Sequence, residues 1–130
     1  MSEPIVFISR FRIKEGKEDD IRRQFEERAG AIEAEKPQTL VFLSYVDRDR
    51  RAVTFVHAFG DAGAMDLHFE GAEERARAAY KLLEPDGWEI YGRPSEQALE
   101  SMRRSADSFG VNLRVQPEYV AGFLRSGPRT

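Results

Sequence analysis

The stretch TFVHAFGDAGAMDLHFEG, residues 54–71, decides how this chain is read. Its first half alternates, with Phe55, His57 and Phe59 set against Thr54, Val56 and Ala58, which is the period of a half-buried strand. Asp61 then stands where a helix N-cap belongs. From there Met65, Phe69, Ala72, Ala76, Tyr80 and Leu83 recur at helical spacing, with Gly71 a point where the helix weakens or bends. Both histidines of the chain fall in this stretch. His57 lies on the strand, and His68 on the flank of the helical stripe, about 60° from its centre.

Working outward, TLVFLSYV (39–46) is a second strand, and DRDRR (47–51) reads as the hairpin loop that joins it to the first. A turn centred on Asp49 sets Val41 opposite His57, Leu43 opposite Phe55 and Tyr45 opposite Val53. Neither face of this pair is fully polar, so the sheet needs cover on both sides. Upstream, PIVFISRFRI (4–13) alternates as well: Ile5, Phe7, Phe11 and Ile13 share one face, and Val6, Ile8, Arg10 and Arg12 the other. Ile21, Phe25, Ala29 and Ile32 stripe a helix over 18–35, opened by three acids, supported by Glu18–Arg22 and Asp19–Arg23 and ended at Pro37.

Downstream, Pro85 and Gly87 close the second helical segment, and WEIYG (88–92) is a short strand. Ser95 caps a third helix striped by Leu99, Met102, Ala106 and Phe109, with Gly110 at its end. VNLRV (111–115) and YVAGFL (119–124) read as extended, and RSGPRT (125–130) as frayed.

The composition excludes several classes. The 130 residues suit one domain that buries roughly 65% of its unfolded surface. A net charge of -3 with no basic stripe argues against nucleic acid. The absence of cysteine removes disulfides, thiolate nucleophiles and thiolate metal sites. The N-terminal residues lack a secretory signal and no apolar run spans a bilayer, so the expectation is a cytoplasmic protein without a membrane partner.

The order strand, helix, strand, strand, helix, strand suits a ferredoxin-like α+β unit with an antiparallel sheet, followed by an added helix and strand. On these residues the chain resembles the antibiotic biosynthesis monooxygenase family of the dimeric α/β-barrel superfamily. The carriers are the first strand leading into IKEGKEDD, the hairpin, and FVHAFGDAGAMDLHF, in which Asp61, Ala64, Met65 and His68 match the family's cap, apolar pair and helix histidine. Where many relatives carry Glu in the strand, this chain has His57. The resemblance spans residues 5–92 of a single domain, and 95–125 form an extension. It implies a homodimer in which two sheets meet face to face, with the last extended segment helping to cover or reach the partner. It further implies a monooxygenase that needs no metal or organic cofactor and acts on a small aromatic, quinol-type molecule between sheet and helices. A non-catalytic dimeric binding or accessory module, and a proton-transfer isomerase or cyclase, stay open beside it.

The candidate site residues follow from both readings. His57 and His68 are either packing residues or the groups that handle protons, in one cleft or apart. Phe55, Phe69, Tyr80 and Trp88 are the expected pocket lining, with Trp88 at the rim. A metal triad of both histidines with Asp61 or Glu70 is disfavoured because Asp61 is better explained as a cap. Haem cleavage is disfavoured as well: Ser9 stands where haem-degrading relatives have Asn, and EERARAAYKLL offers no histidine. Arg10 and Arg12 are solvated, pair acids in the dimer, or hold an anionic ligand group, the first two being favoured.

Overall fold

The computed structural model describes residues 3–125. In chain order it contains β1 (Ile5–Ile13), a 3₁₀ turn (Glu18–Asp20), α1 (Ile21–Glu35), β2 (Thr39–Asp47), β3 (Ala52–Phe59), α2 (Ala62–Phe69), α3 (Ala72–Ala79), β4 (Leu83–Tyr91), α4 (Glu96–Phe109) and β5 (Leu113–Gln116). One sheet runs in the order β2-β3-β1-β4-β5. Every neighbouring pair among the first four strands is antiparallel, as the ferredoxin-like reading requires. The added β5 is parallel to β4, which corrects the expectation of a wholly antiparallel sheet. A parallel neighbour needs a crossover, and α4 supplies it.

The register of the hairpin also differs from the sequence reading. Thr39 sits opposite Phe59 but Val41 opposite Ala58, so Leu40 is an extra residue bulged out of β2. Phe42 then faces His57, Ser44 faces Phe55 and Val46 faces Val53. The loop holds four residues, Arg48–Arg51. It is fixed by the Asp47 carboxylate accepting from the Arg50 amide at 3.1 Å and by Arg51 in the left-handed region at φ 55°. The turn therefore centres between Asp49 and Arg50, and from Val41 onward the β2 side chains change face relative to the expectation, while Thr39 keeps its place opposite Phe59. Phe42 joins His57 on the helix side, whereas Val41, Leu43 and Tyr45 turn outward.

The second helical segment is two helices. Glu70 leaves the helical region and Gly71 takes φ 79°, so the chain breaks where the glycine weakens it. Strand β4 begins at Leu83, five residues earlier than expected. Pro85, which has no amide hydrogen, is tolerated because β5 pairs only with Trp88–Tyr91 and leaves that edge free. Asp86 is bulged between the partners of Arg10 and Phe11. At the opening of α1 the expected Glu18–Arg22 and Asp19–Arg23 pairs give way to Glu18–Arg51, Arg23–Asp20 and Arg23–Glu27.

All the helices cover one face of the sheet, and the core beneath them falls into two clusters. Ile5, Phe7, Phe59, Met65, Trp88 and Ile90 anchor one, with Met102 and Ala106 of α4. Phe11, Ile21, Phe25, Val53, Phe55 and Leu83 anchor the other. Among the described residues no helix covers the opposite face: Leu43 is 45% exposed and Tyr45 59%, beside Val6, Ile8, Val41 and Val56. Arg10 and Arg12 lie on this outer face and pair acids of their own chain, Arg10 with Glu89 at 2.6 Å and Arg12 with Asp86 and Glu84. Residues 119–125 form no strand, and Val120 and Phe123 are exposed. Of the segment read as frayed, residues 126–130 lie outside the described residues.

Candidate functional site

Asp61 is the cap the sequence indicates: its carboxylate accepts from the Ala64 amide at 2.8 Å. That bond starts α2 directly after β3 and fixes how α2 sits over the sheet. His57 points up from β3 and His68 down from α2, and they meet. Their ring centroids are 5.0 Å apart with planes at 78°. Both side chains are buried.

Each ring is held by one polar partner. The Nδ1 of His57 donates to the Phe7 carbonyl oxygen at 3.0 Å. A carbonyl only accepts, so the proton of neutral His57 is on Nδ1 and its Nε2 keeps a free lone pair. The Nδ1 of His68 is 2.8 Å from the Thr39 hydroxyl, at the bulged end of β2. Burial pushes the His57 pKa down to about 4, against the pull of the Phe7 carbonyl and helped by the charges of Arg75 and Arg28. Burial pushes His68 to about 3, with His57, Arg75 and Lys36 adding to the effect. Both imidazoles are therefore neutral at pH 7.

The rings open onto a cavity of about 230 Å³ between the sheet and the helices. It lies at the seam of the two core clusters: Phe7, Trp88 and Met102 line it from one, Phe11, Phe55 and Ala79 from the other. Phe55, Phe69, Tyr80 and Trp88 all reach it, as do both histidines. Trp88 is 5% exposed, so it is a wall of the cavity and not the rim residue expected of it. Phe42 comes into the lining through the corrected register and lies 5.1 Å from His57, ring to ring. Among the described residues no three His, Asp or Glu side chains gather as metal ligands. No helix among them is long and apolar enough to cross a membrane.

The arrangement also holds two cations that the sequence reading passed over, Arg28 of α1 and Arg75 of α3. Their positions carried a signal. Arg28 is three residues after Phe25 and four before Ile32, and Arg75 is three after Ala72 and four before Ala79. Each guanidinium thus sits on an apolar helical stripe, where a cation is unusual.

Solved structures share this architecture. MupZ from Pseudomonas fluorescens superposes with a TM-score of 0.65 at 14% identity over 99% of this chain and 100% of its own. SnoaB, a cofactor-independent oxygenase from Streptomyces nogalater, gives 0.57 at 18% identity over 72% of this chain and 96% of its own. A Chloroflexus aurantiacus protein described as an antibiotic biosynthesis monooxygenase gives 0.54 at 14% identity over 68% and 90%. The fold is that of the antibiotic biosynthesis monooxygenases. The match to MupZ runs through α4 and β5, so the helix–strand addition to this monooxygenase fold also occurs there. No protein-family model matches the chain, and no curated protein matches its sequence.

Proposed function

We propose that this chain is a cofactor-independent oxygenase acting on a small aromatic, quinol-type molecule in the cavity between sheet and helices. One observation carries the reading: two neutral imidazoles in contact, open to an aromatic-walled cavity. The free Nε2 of His57 is the base that takes a phenolic proton. His68, held by Thr39, stands beside it and shares the proton. The phenolate left behind is the electron-rich species that reacts with oxygen, while the walls hold it flat and keep water away. Phe55, Phe69, Tyr80 and Trp88 are assigned the binding role. The cavity lies below the roughly 300–1,000 Å³ of drug-sized sites, which favours one ring or two fused rings. The likeness to SnoaB supports the reaction class.

A second reading rests on the same two rings. Proton transfer alone, as in an isomerase or cyclase, uses the histidines without oxygen. Oxygen uptake with a panel of hydroquinones and naphthohydroquinones distinguishes the two. Uptake that drops at least about tenfold in both His57→Gln and His68→Gln supports the oxygenase. Turnover that continues without oxygen supports proton transfer, and an absence of turnover in either condition overturns both.

We further propose that the functional unit is a homodimer formed by the outer sheet face. Leu43 and Tyr45 stand exposed there among Val6, Ile8 and Val56, an apolar surface of the kind that marks an interface. The exposed Val120 and Phe123 give the segment after β5 apolar groups with which to reach across.

A further inference from the structure

Arg28 and Arg75 line the same cavity from opposite helices. The Cζ of Arg28 lies 5.7 Å from the centroid of the Phe55 ring. Arg75 donates to the carbonyls of Glu70, at 3.2 Å, and His68, and so braces the break between α2 and α3. Among the described residues neither guanidinium has a carboxylate within ion-pair distance. Glu35 acts on Arg75 from beyond that distance, and Glu73 lines the cavity without pairing. The charge of Arg75 also disfavours that of Arg28, and burial disfavours both. Two partly desolvated, unneutralised guanidiniums beside an apolar cavity are unfavourable for the empty protein. An anion placed between them removes that penalty.

We infer that the cavity takes an aromatic carboxylic acid, with the carboxylate held between Arg28 and Arg75 and the ring against Phe55 and Phe42. Arg75 keeps three N–H donors after its two backbone bonds, and Arg28 makes no hydrogen bond or ion pair among the described residues, so planar donor forks face a planar two-oxygen anion. The assignment names the substrate class of the proposed reaction. It depends on that reading only for the choice of cavity.

The test is calorimetric titration of the protein at pH 7.5 with 2-naphthoate, 2-naphthylmethanol and 2-naphthyl phosphate. The expected result is naphthoate binding about tenfold or more tighter than the alcohol, and a preference lost in Arg28→Gln while the alcohol's affinity stays unchanged. Arg28 makes no backbone hydrogen bond among the described residues, so this variant is expected to keep the fold, checked by circular dichroism; Arg75→Lys, which keeps the charge but not the fork, is expected to lose part of the preference. Equal affinity for acid and alcohol, a preference that survives in Arg28→Gln, or tighter binding of the phosphate each overturns the assignment. Oxygen uptake is read separately. Arginine-dependent naphthoate binding without any turnover removes the oxygenase reading and leaves the carboxylate site standing. Turnover of neutral quinols by a protein that binds naphthoate no more tightly than the alcohol does the reverse.

Discussion

His57 and His68 touch edge to face, 5.0 Å apart, although one hangs from a helix and the other rises from a strand. Two imidazoles so close and so buried cannot both be charged at modest cost, and both pKa values lie below 6.5. In the unfolded chain each returns to about 6.5. Below that pH the unfolded state binds more protons, so stability is complete above about pH 6.5 and falls as pH drops towards 4 and 3. The loss by pH 5 is roughly 2 kcal/mol per histidine. Urea denaturation at pH 7 and pH 5 measures it, and His57→Phe is expected to lose about half of the difference. An unchanged midpoint between the two pH values contradicts the burial described.

Arg75, which helps depress both histidines, and Arg28, which acts on His57, also couple ligand binding to protons. A carboxylate between Arg28 and Arg75 offsets their charge and raises the His57 and His68 pKa values, with Lys36 continuing to oppose the second. Binding of 2-naphthoate at pH 5 is therefore expected to take up a fraction of a proton. At pH 7.5 the uptake vanishes. Titrations in two non-carboxylate buffers of different ionisation enthalpy read it directly. Buffer-independent heats at pH 5, with binding intact, place the carboxylate away from the imidazoles.

Two glycines are expected to respond to alanine with opposite signs. Gly92 ends β4 at φ 109°, and an added Cβ would lie 2.9 Å from the Pro4 carbonyl oxygen. Gly92→Ala is expected to destabilise by about 2 kcal/mol or more, through backbone strain and this contact. Gly30 lies inside α1 with open space around it. Gly30→Ala is expected to stabilise by about 1 kcal/mol, from helix propensity alone. Thermal or urea unfolding of the two variants beside the parent is the comparison.

The proposed dimer predicts that Leu43→Glu combined with Tyr45→Glu yields monomers by sedimentation velocity at micromolar concentration. Both residues face away from the cavity, so far-ultraviolet circular dichroism is expected to stay unchanged. A monomeric parent protein at the same concentration counts against the interface.

The strand–cap–helix junction was legible because its signals are local: alternation up to Phe59, a carboxylate at Asp61 and a helical stripe from Met65. Whether the two histidines share a cleft was left open by the sequence; the short connection that folds α2 back over β3 brings them together. The hairpin register was not legible, because the bulge at Leu40 and the left-handed Arg51 leave no mark in hydrophobic alternation. That slip hid Phe42 from the expected pocket. Strand β4 was read too short because Pro85 signals a break, and only the tertiary arrangement shows that its missing amide hydrogen faces a free edge. Arg28 and Arg75 were legible in principle from their places on apolar stripes. Their meeting was not, as α1 and α3 are brought together only by the sheet beneath them.

The seam between the two core clusters has a thermodynamic meaning of its own. Phe7 and Trp88 on one side and Phe11 and Phe55 on the other are parted by the cavity. A molecule that fills the gap becomes an interior part of the protein, bridging two apolar groups across the sheet face they share. Occupancy is then expected to make unfolding more cooperative and to raise the melting temperature. At a hundredfold excess over Kd the gain is about 2.7 kcal/mol. Heat resistance can therefore report the natural ligand before any reaction is known: the compound that knits the halves together is the one that shifts the melting curve most.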